Sequence, residues 1–426
     1  QQFVEATALE IDEFSLNYIF GYDYPISCDV ENHNSVAEFL KTLSQMLVSR
    51  FHEIENEIKS ALNKKDFYKG VRKLEQVVKL VDTIKYIKSN WNVDNIVVDK
   101  FEVIKYKRRY NCMRLRFVDV SKPFNEFFAN MVSQDGAIFM MSATMQSPEY
   151  IVETFNIEVP FKYLIAESGW DKTLRPVVLM KGMKLNSKNI DEKKFDVFNI
   201  VRRVIEITSP AGKNLLVHTH NNKLRNFLID AMYDNPAIIS HDLPQYNRGQ
   251  TAREAFEQFC ASRGAVLISA SMSEGLDFHD DICQIQIVAK IPFPNMVDAW
   301  VKRKAEKFPS YISSEAVLAL EQMVGRIHRH PKDFGITIIL DSAFLMLQRG
   351  TVRLTGEAWD YMIGYKSGET IDADGIVDIV KCIVESGVDG MRAYKIKNAG
   401  TEQVAANTRV ANRKLLKSFG NGSGGF

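Results

Sequence analysis

Apolar side chains recur at helical spacing between residues 33 and 92. A polar turn at residues 63–66 divides this region, and a second apolar stripe follows from Val71 to Ile84. The pattern predicts two long helices joined by a short turn, either a protruding helical hairpin or an ordinary helical subdomain. The first stripe, which possible capping residues at 33–35 precede, consists of Val36, Phe39, Leu40, Leu43, Leu47, Phe51, Ile54 and Ile58.

The pattern changes after residue 174, where short apolar runs alternate with helical stretches. The runs occupy residues 176–180, 214–218, 265–269, 284–289 and 336–340. The helical stretches between them include residues 195–207, 223–233 and 253–262. This alternation predicts a parallel sheet flanked by helices, so the fold class is α/β. Nearer the end, residues 374–385 and 409–418 have helical patterns, and the glycine-rich tail from residue 420 is predicted to be flexible.

Composition limits the function only weakly. The 426 residues carry a formal net charge of +1, so any nucleic-acid surface must be a local patch. The five cysteines are widely spaced, which predicts reduced thiols and gives no support for an iron–sulfur cluster. Without a membrane-length apolar stretch or a signal peptide, we expect a cytoplasmic protein, or a nuclear one in a eukaryote, and no membrane partner. Since the sequence starts at Gln1, further residues are expected upstream.

One short segment combines positive charge with aromatic rings. Residues 105–110, Lys-Tyr-Lys-Arg-Arg-Tyr, lie between strand-like stretches at residues 95–98 and 113–120. Such a pattern can bind backbone phosphates and stack bases. A solvated, charged turn has the same pattern, and the sequence leaves both interpretations open.

The strongest candidate for chemistry is residues 321–329, Glu-Gln-Met-Val-Gly-Arg-Ile-His-Arg. A helix that begins near residue 313 or 314 would place three polar side chains on one face, namely Gln322, Arg326 and Arg329. Guanidinium groups match phosphate oxygens and stabilise the charge that develops in phosphoryl transfer, so this face predicts a polyphosphate site. Gly325 would let a ligand approach closely. The alternative is an exposed helix face that makes surface ion pairs. The opposite, apolar face would consist of Val317, Leu320, Val324 and Ile327.

Three further polar segments follow apolar runs. Residues 269–278 come after the run at 265–268, residues 142–144 after an apolar strand predicted at 138–141, and residues 219–222 after the run at 214–218. Ligands gather at the carboxyl ends of parallel strands, so each segment is a candidate binding loop. An ordinary loop at the end of a buried strand is the alternative for each.

These segments occur in an order that resembles the DinG/XPD branch of superfamily 2 helicases. Ser142-Ala143-Thr144 resembles motif III, and residues 217–221 resemble motif IV. Residues 273–278 resemble motif V, and Gln322-x-x-Gly325-Arg326-x-x-Arg329 resembles motif VI. Residues 291–294 and 339–341 are similar to the segments that follow motifs V and VI. The resemblance covers about residues 110 to 345.

The resemblance also implies a domain organisation. Residues 166–354 would form the second RecA-like motor domain, which contains motifs IV to VI. Residues 31–110 would be a helical, Arch-like insertion into the first motor domain. The first motor domain itself would be represented by residues 1–30 and 111–165. Residues 355–426 would be a C-terminal helical extension and tail.

The family resemblance implies an ATP-dependent helicase or translocase on single-stranded DNA, usually 5′ to 3′, with ATP and Mg²⁺ as cofactors. RNA stays possible as a substrate, and the oligomeric state is open. The implied catalytic residues are Arg329 as the charge-stabilising finger, Arg326 and Gln322. The implied ATP contacts are Glu274, Gly275, Asp277 and Gly325. The implied nucleic-acid contacts are Thr219, His220, Asn221, Ser271 and Trp300, with Ser142 and Thr144 as coupling residues.

The sequence departs from the family pattern in one important respect. It contains no G-x-x-x-x-G-K-[ST] phosphate loop, and residues 3–10 resemble the DEAH box only loosely. Either upstream sequence supplies these parts to an active enzyme, or the chain is a non-catalytic, helicase-derived subunit that binds nucleic acid or a partner. His218 and His220 could form one edge of a metal site, but the sequence offers no credible third ligand, so no metal site is predicted.

Overall fold

The computed structural model describes residues 8–132, 137–142, 147–157, 161–164, 171, 174–180, 182–186, 188–240, 251–271, 278, 281–327, 330–349, 362–363 and 371–397. The chain divides into two compact units. The first, called the hairpin unit, comprises Gln1–Met140, Pro148–Lys162 and Asn295–Pro309. The second, called the sheet unit, comprises Met141–Ser147, Tyr163–Pro294 and Ser310–Phe426. The division into two units does not test the domain boundaries predicted from the sequence, and those boundaries stay a prediction.

The helices and strands are numbered in chain order. The helices are α1 (Glu13–Phe20), α2 (His33–Lys59), α3 (Lys64–Ser89), α4 (Ser121–Val132), α5 (Pro148–Phe155), α6 (Ile190–Thr208), α7 (Asn222–Ala231), α8 (Ala252–Ala261), α9 (Ala299–Lys307), α10 (Tyr311–Val324), α11 (Phe344–Arg349) and α12 (Ala373–Lys397). The strands are β1 (Ala8–Asp12), β2 (Ile96–Lys105), β3 (Arg108–Phe117), β4 (Val177–Leu179), β5 (Leu215–His218), β6 (Ile238–Ile239), β7 (Val266–Ser269), β8 (Ile285–Val288), β9 (Ile336–Ile339) and β10 (Met362–Ile363).

The two long helices predicted from the apolar stripes are α2 and α3. Asn32 caps α2 and Asn63 caps α3, each through its side-chain oxygen. The predicted polar turn is therefore the first turn of α3, and the connection lies just before it. Burying one leucine, isoleucine or valine side chain stabilises a fold by about 2 kcal/mol. The apolar stripes meet in a core whose fully buried members include Leu40, Leu43, Leu47, Ile54, Val77 and Ile84.

An antiparallel sheet of three strands completes the core of the hairpin unit. Its strand order is β1-β3-β2, and β2 pairs with β3 along all ten residues of each strand. The strand-like stretches predicted at residues 95–98 and 113–120 are thus the ends of one long β-hairpin. The parts of β2 and β3 nearer the turn are more exposed and mix charged with apolar residues. They therefore lack the continuous apolar run that indicates a buried strand.

The sheet unit contains a parallel sheet of seven strands in the order β10-β4-β9-β8-β5-β7-β6. Five of these strands coincide with the five predicted apolar runs, so the predicted α/β fold with a RecA-like parallel sheet is confirmed. One face is covered by α6, α7 and α12. The opposite face packs against α8, α10 and α11.

The residues near the carboxyl end of the chain are part of the sheet unit. Strand β10 pairs with β4 at the sheet edge, and α12 packs beside α6. The predicted C-terminal helical extension, residues 355–426, includes α12, and the apolar face of α12 fills the same core as the sheet. The predicted helix at residues 374–385 lies within α12, whereas residues 409–418 and the tail lie outside the described residues. The buried members of the α12 face are Ile376, Ile379, Val380 and Ile383.

Candidate functional site

Thr219 links the end of β5 to the end of β7 through hydrogen bonds, at the carboxyl edge of the parallel sheet. It follows β5 directly, and its side chain has no exposed surface. The hydroxyl Oγ1 donates to the carbonyl oxygens of Ser269 and Asn221, at 3.2 Å in each case. The predicted contact of Thr219 with a phosphate would require this buried hydroxyl to leave both carbonyls.

His220 and Asn221 make the turn from β5 into α7. His220 has a φ of +44°, which is rare for a residue with a side chain, and burial lowers the pKa of its imidazole. The Asn221 side chain accepts a 2.9 Å hydrogen bond from the Leu224 N–H and so caps α7. Because β5 ends at His218, the two histidines do not share a strand face, which a metal site with both of them as ligands would need.

Residues 269–278, the candidate loop that ends in the segment resembling motif V, are described only at residues 269–271 and 278. Ser271 is exposed, and its N–H donates to Ser269 Oγ at 3.2 Å. Phe278 is fully buried, and its N–H donates to the carbonyl of Arg326 at 3.3 Å. The end of this segment is therefore tied to the segment that resembles motif VI. The predicted ATP contacts within it, Glu274, Gly275 and Asp277, lie outside the described residues.

Helix α10 carries the first part of the segment that resembles motif VI. It begins at Tyr311, earlier than predicted, because Tyr311 packs into the core with 5% exposure. The α-helix ends at Val324, and the chain continues as a 3-10 turn, Gly325–Ile327. The predicted apolar face is confirmed, since Val317, Leu320, Val324 and Ile327 are all buried.

The 3-10 turn changes the predicted arrangement of the polar side chains. A 3-10 turn has three residues per turn instead of 3.6, so it rotates later side chains away from the helical face. Gln322 is accordingly half-buried, whereas Arg326 is only 7% exposed. Gly325 has an ordinary φ of −68°, and a Cβ added there would meet no described atom within 4 Å. Arg329 lies outside the described residues.

Gln286 braces the end of α10 from the middle of the sheet. Its side-chain Nε2 lies 3.1 Å from the Met323 carbonyl, 3.4 Å from the Val324 carbonyl and 2.7 Å from Thr337 Oγ1. The last carbonyls of a helix lack partners within the helix, and Gln286 satisfies two of them. Gln286 therefore holds the end of α10 in place, and the turn that carries Arg326 begins there. Sequence reasoning missed Gln286; its only signal was a polar residue inside the apolar run at 284–289.

His218 is a diagonal neighbour of Gln286, because His218 pairs with Val288 whereas Gln286 pairs with Leu216 and Thr337. The three buried polar side chains His218, Gln286 and Thr337 are called the polar row. Burial lowers the pKa of the His218 imidazole to about 4; an interaction with Gln286 opposes this shift, and the nearby Arg326 and His220 add to it. His218 Nε2 and Gln286 Oε1 have no hydrogen-bond partner among the described residues. At neutral pH the ring is therefore uncharged, which suits a position beside the Arg326 guanidinium.

Asp341 holds three loops together at the carboxyl edge. It follows β9, is fully buried, and accepts hydrogen bonds from the N–H groups of Leu185, Ile291 and Ala343 at 3.0, 3.1 and 3.0 Å. Burial raises the pKa of its carboxyl group more than these bonds and the nearby Lys290 lower it. The Ile-Pro-Phe-Pro segment at residues 291–294 is thus anchored at its first residue.

Trp300, predicted to contact nucleic acid, has structural partners within the hairpin unit. Its indole N–H donates to the Phe117 carbonyl at 2.8 Å, and the Arg116 guanidinium carbon lies 5.0 Å from the ring centroid. Arg116 also forms ion pairs with Asp298, the N-cap of α9, and with Asp99. These contacts attach α9 to the sheet of the hairpin unit, which the sequence did not predict. Base stacking by Trp300 remains a prediction.

The apolar strand predicted before the motif III-like segment is not formed. Residues 138–142 have no regular structure, and Phe139 and Met141 are 89% and 94% exposed. A strand needs a hydrogen-bonded neighbour, and no described strand pairs with this run. Ser142 is exposed, and Thr144 lies outside the described residues.

No group of three or more His, Cys, Asp or Glu residues in the described ranges is arranged to hold a metal ion. No helix in the described part of the chain is both long and apolar enough to cross a bilayer. All five cysteines are free thiols, and burial raises the pKa of Cys112 and Cys283 to about 12.

Comparison with known proteins identifies relatives of this arrangement. Residues 204–354 match the model of the helicase C-terminal domain family. A Staphylococcus saprophyticus protein named 3′-5′ exonuclease DinG is 22% identical over 370 residues, which covers 80% of this chain and 36% of that protein. A Staphylococcus aureus protein of the same name is 27% identical over 164 residues, or 37% of this chain and 18% of that protein. A solved XPD helicase has 14% identity and a TM-score of 0.48, covering 81% of this chain and 64% of that one. The chain spans about a third, or less, of the length of these curated relatives.

Proposed function

We propose that this chain, as a segment of a DinG/XPD-like superfamily 2 helicase, is the part of an ATP-driven translocase that closes over the bound nucleotide. The substrate would be single-stranded DNA, tracked from 5′ to 3′, and the full enzyme would need a phosphate loop from sequence outside this chain. The relatives' printed name denotes a 3′-5′ exonuclease, an activity to which we assign no residue of this chain.

Arg326 carries the proposal. Its side chain is only 7% exposed, and the turn on which it lies starts from the helix end that Gln286 braces. At Gly325 the backbone beside it is open, because an added Cβ would meet no described atom within 4 Å. A positioned guanidinium next to an open backbone is suited to the oxygens of a polyphosphate. This combination therefore favours a nucleotide site over the alternative, an exposed helix face that makes surface ion pairs.

The roles of the neighbouring residues follow from this site. Arg329 would be the finger that stabilises charge on the transferred phosphoryl group, with Arg326 and Gln322 holding and orienting the phosphates. Glu274, Gly275 and Asp277 would contact the nucleotide. ATP supplies the phosphoanhydride bond whose hydrolysis drives movement, and we assign no residue of this chain to Mg²⁺.

Exposed apolar side chains support a first motor domain that is completed by further sequence. Phe139 and Met141 are almost fully exposed, and Phe127 and Met131 on α4 are 41% and 44% exposed. Large apolar side chains with this much exposure are suited to being covered by a further part of the protein. We propose that residues 138–141 join the sheet of the domain that holds the phosphate loop, and that Ser142 and Thr144 then couple the two motor domains.

The proposed DNA contacts lie at the carboxyl edge of the sheet. His220, Asn221 and Ser271 occupy the turns that follow β5 and β7, and Ser271 is exposed. Because the hydroxyl of Thr219 is bonded to two carbonyls, we give it the role of holding these turns in place. Trp300 is the proposed stacking residue.

The test uses the full-length protein. Arg326→Ala and Arg329→Ala should each lower the rate of ATP hydrolysis on the order of a thousandfold and leave the binding of a (dT)20 oligonucleotide largely intact. Arg263→Ala is the matched control, because Arg263 is exposed and paired with Asp281 on the surface. Unchanged hydrolysis in both variants would refute the site. A full-length protein that binds (dT)20 but never hydrolyses ATP would instead identify the non-catalytic binding subunit.

A further inference from the structure

The tip of the β2–β3 hairpin has a backbone that its sequence does not favour. Strand β2 ends at Lys105 and β3 begins at Arg108, which pairs with it, so the loop has the two residues Tyr106 and Lys107. Their φ angles are +51° and +65°, as a type I′ turn requires. Asn-Gly is the favoured pair for this turn, and side chains such as Tyr and Lys are strained in it. Strain of this kind is retained where the side chains serve a purpose.

The tyrosine of this turn presents one open aromatic face. Tyr106 is 85% exposed. Its ring centroid lies 5.6 Å from that of Phe14, and Phe14 in turn lies 5.5 Å from Tyr110. The Lys105 ammonium lies 5.0 Å from the Phe14 centroid. The ring of Tyr106 is therefore supported on one side by a small aromatic cluster and open to solvent on the other.

Two cations of the tip are available to a ligand. Lys105 pairs with Asp12 at 2.9 Å, and Arg109 pairs with Glu102 at 3.3 Å. Lys107 and Arg108 are exposed and form no ion pair with a described residue. The tip thus combines two unneutralised positive charges with an exposed ring, within the span of three consecutive residues.

We propose that this hairpin tip is a second binding site for single-stranded DNA. Lys107 and Arg108 contact successive backbone phosphates, and a base stacks on the open face of Tyr106. Phosphate contacts supply salt-dependent affinity, and stacking distinguishes a single strand, whose bases are accessible, from a duplex. The inference rests on the proposed function for its substrate, but the residues involved are separate from the carboxyl edge of the parallel sheet.

The decisive variant is Tyr106→Asn combined with Lys107→Gly, which installs the favoured turn sequence. We expect it to raise the melting temperature of the chain by about 2–4 °C, because the strain is relieved. We expect the affinity for (dT)20 to fall at least tenfold, and the slope of log affinity against log salt to fall by about 0.7. A loss of binding in a more stable protein cannot come from unfolding.

Matched variants separate the contributions. Tyr106→Phe keeps the ring and should bind (dT)20 within about twofold of the parent, whereas Tyr106→Asn alone should not. Lys41→Gln, which removes an exposed lysine on α2, controls for net charge. Equal affinity of parent and double variant for (dT)20 would overturn the proposal. It would also be overturned if a 20-base-pair duplex or polyglutamate lost affinity as much as (dT)20.

The outcomes also separate this inference from the proposed function. If the parent binds (dT)20, and Asn221→Ala with Ser271→Ala weakens binding while the hairpin variant does not, only the hairpin site fails. If the parent does not bind (dT)20 at all, the proposed substrate and the hairpin site both fail.

Discussion

The buried imidazole of His218 makes a quantitative prediction about acid stability. Burial lowers its pKa from 6.5 to about 4 in the folded chain, whereas the unfolded chain has the ordinary value. Above pH 6.5 the ring is neutral in both states and costs nothing. As the pH falls from 6.5 to about 4, the unfolded state takes up a proton that the folded state does not. Each pKa unit corresponds to about 1.4 kcal/mol, so His218 should cost about 3 kcal/mol of stability over this interval.

The assay is urea denaturation of the sheet unit at a series of pH values between 4.5 and 7.5. His218→Leu removes the titrating group and keeps an apolar side chain of similar size at a site that is 2% exposed. The parent should lose about 2.5 kcal/mol more than this variant between pH 7.5 and 4.5. Other groups of the sheet unit with shifted pKa values, such as Asp341 and His220, are present in both proteins, so the difference between the two curves isolates His218.

Two results would contradict this reasoning. Parallel stability curves for parent and variant would mean that His218 titrates alike in both states. An NMR titration in which the ring protonates near pH 6.5 in the folded chain would remove the basis of the prediction directly.

The remaining predictions concern Gly325 and Gln286 at the end of α10, Asp341 at the carboxyl edge of the sheet, and the thiol of Cys283. Gly325→Ala should change the free energy of unfolding by less than about 0.5 kcal/mol, because the added methyl group meets no described atom, but should lower ATP hydrolysis by the full-length protein. Gln286→Leu should destabilise the sheet unit by about 1–3 kcal/mol in urea denaturation, since two helix carbonyls lose their donor. Asp341→Ala leaves three amides without an acceptor and should cost at least about 3 kcal/mol by the same measurement. Cys283, whose pKa is raised by burial to about 12, should resist iodoacetamide at pH 8 until the chain unfolds.

The parallel sheet was predictable because its strands are buried on both faces. A strand covered on both sides is apolar throughout, and β5, β7, β8 and β9 are continuous runs of buried residues. The same reasoning explains why β6 and β10 were missed, since each has two residues and sits at a sheet edge. Periodicity detects the elements that bury the most surface.

The candidate site was predicted in outline and not in detail. The apolar face of α10 follows from helical spacing, but the carbonyls at the end of α10 accept hydrogen bonds from Gln286 of β8, which lies 37 residues before Met323 in sequence. Contacts of that kind leave no local signal. The docking of α9 is similar, because the pairing of Arg116 with Asp298 joins residues 182 positions apart. Local patterns cannot anticipate either one.

The uncharged state of His218 matters for Arg326, which is 7% exposed and interacts electrostatically with it. A buried guanidinium is costly beside another cation, and a protonated His218 would be such a neighbour. The apolar surroundings keep His218 neutral at physiological pH, and the Nε2 amide of Gln286 is directed to the carbonyls of α10 and to Thr337. The polar row therefore adds no positive charge next to Arg326, while it fixes the helix end from which Arg326 extends. A neutral His218 therefore avoids a repulsion that would destabilise the buried guanidinium.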